Sequence, residues 1–430
     1  MKRLRWLWTS AWVGAVLASH AGAQDYVRAV SPAGFYDDQE QIEPSPSDLV
    51  APEVNALRET KEGVKTGTKT GTGGVCWTHD WQDAKGVGKN SGNDAWKLFP
   101  ENSLGIDIGG WTQIGYHSRA SVNDADLFNI HPDRVHVHQQ WLYAERVADG
   151  TYGMDWGFRF DAMYGIDAEN TQAFGNPGGR WDNSDAFRRG IYGWALPQAY
   201  AEAAVGDLSV IAGKFYTTIG YEGVMAPDNF FYSHAYTMNN SEPFTHTGFL
   251  ATYDATERTT LYGGWTLGWD TGFDRFERGS NFLGGFSVDL TDDIEMTYMT
   301  TIGDFGWIGR DGYMQSLVFD VALTHRLNYV FQSDYLYVGD ARDDDGALTV
   351  GLYETIGINQ YLIYTLNDCW GFGGRLEWWR DAGLSHNQAA FGVNYRPHSN
   401  VVFRPEVRQE WVPGDDLDQI VFGMDAVITY

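Results

Sequence analysis

The sequence predicts an all-β chain: a transmembrane antiparallel up-and-down β-barrel of about sixteen strands behind a mostly irregular N-terminal leader. Three observations predict it. Long runs alternate apolar and polar residues at the period of a strand, short and long connections alternate along the chain, and a secretion signal is followed by no apolar run long enough for a membrane helix. The resulting divisions are a signal peptide over 1–23, a flexible periplasmic leader over 24–100 and the barrel over 101–430.

The alternation is plainest in YGMDWGFRFDAMYG, Tyr152 to Gly165. Its even positions carry Tyr152, Met154, Trp156, Phe158, Phe160, Ala162 and Tyr164, whereas Asp155, Arg159 and Asp161 share the odd face. Strands of small soluble cores run about 5 to 6 residues, and this pattern persists over twice that. At ~3.4 Å per residue and a tilt of about 40°, Tyr152 and Tyr164 fall near the two rims of a ~25 Å apolar band. Turning the strand over would aim Arg159 at lipid, at a cost of about 2 to 4 kcal/mol near the midplane, so the charged face must look inward. The same pattern returns in GIDIGGWTQIGYH, TTLYGGWTLGW, RLNYVFQSDYLYVG and NVVFRPEVRQEWV; the last sets Arg404, Glu406, Arg408 and Glu410 opposite Val401, Phe403, Val407 and Trp411.

Short links are expected at 148–150, 206–207, 254–258, 291–293, 325–328, 366–368 and 396–400. Longer ones are expected at 118–133, 165–197, 218–246, 269–280, 303–313, 340–347, 381–387 and 413–418. Such alternation is the mark of an outer-membrane barrel with short periplasmic turns.

Bulk composition agrees. The 430 residues carry a net charge of −27, which argues against nucleic acid as a partner, and 15% aromatics, which argues against disorder. Lys2, Arg3 and Arg5, an apolar stretch to Leu17 and the small-residue site Ala21-Gly22-Ala23 form a Sec-type signal peptide. Residues 24–100 lack periodicity, apart from a short helix expected near 54–60. Cys76 and Cys369 are the two cysteines; the turn alternation puts both in an oxidising periplasm, which allows a disulfide pinning the leader to the barrel. The last strand, QIVFGMDAVITY, ends on Tyr430 and resembles the C-terminal signal read by the outer-membrane barrel assembly machinery.

Three stretches, IGGWTQIGYH (108–117), AGKFYTTIGYEGVMAPDNFFYSHAY (212–236) and SEPFTHTGFLATY (241–253), resemble the OmpL-like family of β-barrel outer-membrane porins. The resemblance implies a chain in outer-membrane lipid that forms a passive pore for small hydrophilic solutes or ions, with no catalytic centre and no cofactor. Association into a homo-oligomer is compatible with it.

Loop 218–246 is too rich in Tyr and Phe to lie in water, so it is expected to fold inward as the pore constriction, with Glu222, Asp228 and Glu242 at the narrowest part and Lys214 nearby. Asp155, Arg159, Asp161, Asp334, Arg404, Glu406, Arg408 and Glu410 are expected to line the lumen; Asp289 and Glu295 share that face, and the carboxylate excess favours cations. His131, His136 and His138 have a spacing that could share a metal, but with no carboxylate or cysteine beside them they are read as facing water. No nucleophile motif or phosphate loop is present. Two other classes stay open at this point: a secreted soluble β protein binding carbohydrate, and an outer-membrane barrel with an adhesin or enzymatic role.

Overall fold

A computed structural model describes residues 97–99, 104–339 and 353–430. The expected signal peptide, nearly all of the expected leader with the helix expected near 54–60, Cys76 and the connection expected at 340–347 lie outside the described residues.

The fold is a closed antiparallel barrel. Its wall runs β1 (Asp107–His117), β2 (Val135–Arg146), β3 (Asp155–Gly165), β4 in two collinear pieces (Tyr192–Ala195 and Ala199–Val205), β5 (Leu208–Tyr216), β6 (Thr245–Thr256), β7 (Thr259–Thr266) and β8 (Ser280–Thr291). It continues through β9 (Ile294–Asp304), β10 (Arg310–Thr324), β11 (Leu327–Gly339), β12 (Tyr353–Asn367), β13 (Trp370–Asp381), β14 (Leu384–His398), β15 (Val401–Val412) and β16 (Leu417–Thr429). The sheet has 18 hydrogen-bonded segments; joining the two pieces of β4 and setting aside the stub Arg188–Arg189 leaves sixteen wall strands. β4 is broken at Pro197, which has no N–H to give, and β3 pairs with both pieces, Met163 opposite Ala195 and Phe160 opposite Ala199.

Closure joins β1 to β16, with Trp111 opposite Thr429 and His117 opposite Gly423. Tyr430 completes the seam: its N–H donates to Gly110 O and its carbonyl accepts from Gly110 N, both at 2.9 Å. No sheet edge is left among the wall strands, as a membrane without water to satisfy an edge demands.

Side-chain parity follows the expectation. In β3 Gly157, Arg159, Asp161 and Met163 are buried while Trp156 and Phe160 are exposed outward. In β15 Arg404, Glu406, Arg408 and Glu410 are buried and Phe403 and Val407 exposed. β3 starts later than the alternation suggested: Tyr152 belongs to a 3-10 turn, Gly150–Tyr152, and is 89% exposed.

On one side of the barrel six of the turns have two residues, among them Gly206-Asp207, Asp368-Cys369 and Ser399-Asn400, and the seventh spans 147–154. Cys369 is exposed in its turn. On the other side the connections are 118–134, 166–191, 217–244, 267–279, 305–309, 340–352, 382–383 and 413–416. The long connection expected at 381–387 is therefore a two-residue turn. Ala382 (φ 45°) and Gly383 (φ 87°) both take the left-handed conformation that joins twisted strands tightly, so β13 and β14 run on through the polar residues that suggested a loop.

Candidate functional site

Connection 217–244 leaves β5, crosses the interior and returns into β6. All of its residues are buried except Tyr221, Pro227 and Asp228, which are half-buried. Phe230, Phe231 and Tyr221 pack with Tyr361 of β12, and Tyr232 reaches the β1–β2 wall. Glycines in the wall make room. A Cβ on Gly373 would sit 2.4 Å from the Phe230 ring and one on Gly423 2.7 Å from the Tyr232 ring, so a side chain at either position would force the ring out of its seat.

Polar ties then fix the loop to the far wall. Arg375 of β13 donates through Nη1 to Glu222 Oε1 (2.6 Å) and Ser233 O (2.8 Å), through Nη2 to Ser233 Oγ (2.8 Å), and through Nε to Gln388 Oε1 (3.0 Å). The other Glu222 oxygen accepts from Ala235 N at 2.7 Å. Glu377, two residues along β13, accepts from the backbone N–H groups of Tyr236 (2.8 Å) and Thr237 (2.7 Å) and from Thr237 Oγ1 (2.7 Å). Those amides open the short helix α1 (Tyr236–Ser241), whose first-turn donors have no partner within the helix, so the wall supplies its cap.

On β15, Arg404 grips Asp425 and donates to the carbonyls of Ala226 (2.7 Å) and Asn229 (2.6 Å). Glu406 accepts from Ser233 N and Oγ. Arg408 donates to Glu410 (2.6 Å), and Glu410 in turn accepts from Val122 N (2.9 Å) and so holds connection 118–134. Burial pushes the Asp126 carboxyl of that connection up to about 6, against the pull of Arg408. Burial, assisted by Arg375, lowers His234 to about 3 and keeps its ring neutral inside the loop.

The expected site residues thus separate. Glu222 and Glu242 do lie on the inserted loop, but Glu222 is occupied by Arg375 and Glu242 is 0% exposed. Asp228 is the loop carboxylate that keeps contact with solvent. Lys214 is fully buried near the end of β5, with Nζ 3.9 Å from Asp182 of connection 166–191. Arg159 pairs with Asp161 (2.9 Å) and Glu145 (3.1 Å), and Asp334 accepts from Ser316 Oγ (2.7 Å) and Gln332 Nε2 (3.0 Å). Asp155 sits near the short-turn end, 3.1 Å from Arg146.

The histidines correct the sequence reading. His136 and His138 are buried, and a carboxylate does stand beside them: Asp167, delivered by connection 166–191, lies 2.9 Å from His138 Nδ1. The Tyr232 hydroxyl bridges His138 Nε2 (2.9 Å) and His117 Nδ1 (3.1 Å). A bulge in β2 turns both His138 and Gln139 inward, and Gln139 binds the other Asp167 oxygen (3.0 Å) and Val224 O (2.7 Å). These side chains tie two loops to the wall. No group of three metal-ligating side chains with suitable geometry occurs among the described residues.

Sequence reasoning also missed members of an acidic row at the short-turn end of the inner face. The register sets Asp289 of β8 opposite Glu295 of β9, and Glu295 opposite Asp320 of β10, all three half-buried. Asp254 of β6 lies on the same face, accepting from Thr260 Oγ1 at 2.9 Å. Asp320 and Asp254 could have been found from parity alone.

Among solved structures, the outer-membrane channel DcaP of Acinetobacter baumannii aligns with 78% of this chain and 100% of its own, at 10% identity and a TM-score of 0.54. A loop L8 deletion mutant of OmpT, an outer-membrane protein of Vibrio cholerae, aligns with 76% of this chain and 99% of its own, at 10% identity and a TM-score of 0.49. At these identities the DcaP likeness speaks for the fold alone. No curated protein sequence matches the chain. The sequence profile of the OmpL-like beta-barrel porin-2 family matches residues 105–430, the entire barrel, and the chain belongs to that family.

Proposed function

We propose that the protein is an outer-membrane porin through which small hydrophilic solutes diffuse passively, with cations preferred, and that connection 217–244 narrows the path. The closed sixteen-stranded wall with its charged inner face and inserted loop carries this reading. Water and solutes need polar groups along their path, which the inward-facing Gln332, Asn359, Glu377, Arg404 and Glu406 supply, while the outward parity is apolar enough for lipid. The acidic row Asp289, Glu295 and Asp320, with Asp228 on the loop, supports cation preference, because like-signed carboxylates along a pore raise the local concentration of counter-ions. Glu222 and Glu242 contribute by shaping the loop, and Lys214 by holding connection 166–191 through Asp182.

Planar bilayers containing the purified protein should show discrete conductance steps, with reversal potentials in a salt gradient that favour cations. Replacing Asp289, Glu295 and Asp320 together by Asn, Gln and Asn should lower the cation-to-anion permeability ratio about two- to fivefold, the effect of removing somewhat less than about 1 kT of surface potential. An unchanged ratio would move selectivity elsewhere, and absence of conductance steps would remove the porin reading.

Orientation is testable separately. With the short turns in the periplasm, a membrane-impermeant thiol reagent on intact cells should label Asp185→Cys in connection 166–191 and leave Asp207→Cys in the β4–β5 turn unmodified. The opposite pattern would invert the barrel.

A further inference from the structure

We propose that Glu242 and Asp334 share a single proton and so form a latch that seats connection 217–244 against β11 and lets it go as pH rises. The consequence for conductance rests on the porin reading; the latch itself does not.

Both carboxyls are buried to 1% exposure or less. Gln332 Nε2 donates to both, at 2.6 Å to Glu242 Oε1 and 3.0 Å to Asp334 Oδ1, and Ser316 Oγ adds a bond to Asp334 Oδ1 at 2.7 Å. The remaining oxygens, Glu242 Oε2 and Asp334 Oδ2, have no donor within hydrogen-bonding reach, and the shared Gln332 amide gathers the two carboxyls at one point. Two ionised carboxylates are acceptors only, so a buried pair gathered on one amide with no cation beside it is relieved by a proton on one member.

The surroundings offer no alternative to it. The loop presents Glu222, which is already committed to Arg375. β10 presents Ser316 and β11 presents Gln332; β12 presents Asn359, opposite Gln332, and beyond it on β13 stands Glu377, committed to the amides of α1. Among the described residues no lysine, arginine or histidine pairs with either latch carboxyl.

The latch holds both legs of the loop. Gly220, in its first leg, approaches so closely that an added Cβ would lie 2.0 Å from Glu242 Oε2, and its φ of +92° is one that glycine adopts without strain. Glu242 in the second leg, Gly220 in the first and Asp334 in the wall therefore meet at one point.

The sign follows from linkage. Burial, reinforced by Asp334, holds the Glu242 carboxyl well above the ordinary value of 4.5. A released, hydrated leg would return it to that value. The seated state is thus stabilised by the proton at low pH, and the stabilisation is lost as pH rises through the raised value. Once the proton passes to solvent, two neighbouring buried carboxylates must separate or take up water, and either displaces the leg.

Infrared titration of the full chain folded in detergent reads the proton directly. A protonated-carboxyl band should be present at about pH 6 and decline towards about pH 10, and the wild type minus Glu242→Gln difference at about pH 6 should contain that band. Gln at 242 can donate to Asp334 without a proton to lose, so single-channel conductance should rise at least about twofold from pH 6 to pH 9 in the wild type and stay flat in the variant. A wild-type pH profile that survives in Glu242→Gln, or a difference spectrum without the carboxyl band, overturns the latch. If the variant does not assemble, the wild type decides alone: amide protection across 217–244, corrected for intrinsic exchange, should fall about tenfold between pH 6 and pH 9, and constant protection refutes the proposal. A protein that never conducts would remove the porin reading, while the infrared and exchange results would still stand or fall by themselves.

Discussion

Replacing Arg375 by leucine should unseat the inserted loop while leaving the barrel closed. The guanidinium is 0% exposed and satisfies Glu222, Ser233 and Gln388 together, with the Phe231 ring 5.0 Å away. Leucine fills part of the volume but leaves Glu222 as a buried, uncompensated charge, a loss of about 3 to 5 kcal/mol for a broken buried pair. That is a shift of about 10² to 5 × 10³ in the seated-to-released equilibrium of the loop. The wall bonds of β13 to β12 and β14 are backbone bonds and do not depend on the side chain. The expected picture is a barrel with normal heat-modifiable mobility, a protease-sensitive segment within 217–244 and larger, noisier conductance steps. Removing the stranded charge as well, in Arg375→Leu with Glu222→Leu, should recover a substantial part of the protection, since an apolar pair of similar volume escapes the desolvation penalty. Full protection in the single variant would mean that Glu377 and Arg404 hold the loop without it.

Met424→Arg should strongly destabilise the assembled barrel. Met424 lies mid-strand in β16 on the outward face with Ile420, Phe422 and Ala426, between the buried Asp425 and the inward Gly423. An arginine there faces hydrocarbon, at about 2 to 4 kcal/mol near the midplane, and β16 is also the strand that closes the barrel on β1. The same change at Ile428, near the rim, should cost about 0 to 1 kcal/mol. Urea titration in lipid vesicles should resolve the two, with Met424→Arg unfolding at clearly lower urea and accumulating poorly in the membrane fraction. Equal midpoints would mean that position 424 is shielded from lipid, as a contact between barrels would do.

The unequal legibility of wall and loop has a physical origin. Which face of β3 or β15 looks inward was readable because strand parity is local: residues two apart share an environment, and one misplaced arginine costs more than a strand can tolerate. Inward folding of connection 217–244 was readable for a similar reason, since Phe230, Phe231, Tyr232 and Phe244 have no stable place in water. The role of its carboxylates was not. Glu222 meets Arg375 across 153 residues, Ser233 meets Glu406 across 173 and Gln113 meets Asp425 across 312. Such pairings exist only once the barrel has closed and the loop has chosen its path. The two-residue turn at Ala382-Gly383 escaped notice because Ser385, His386 and Asn387 read as loop, whereas in the barrel they continue a strand.

By itself, then, the sequence determined the barrel, its inside and its outside, the strand number and the apolar character of the inserted loop, all properties carried by neighbours along the chain. Only the tertiary structure decided that Glu222 is neutralised by Arg375, that Gln332 joins Glu242 to Asp334, that Asp167 reaches His138 and that Asp289, Glu295 and Asp320 form one row. A charge has no fixed meaning until closure sets its dielectric surroundings and its partner. The same carboxylate lines a pore in one setting and locks a loop in another.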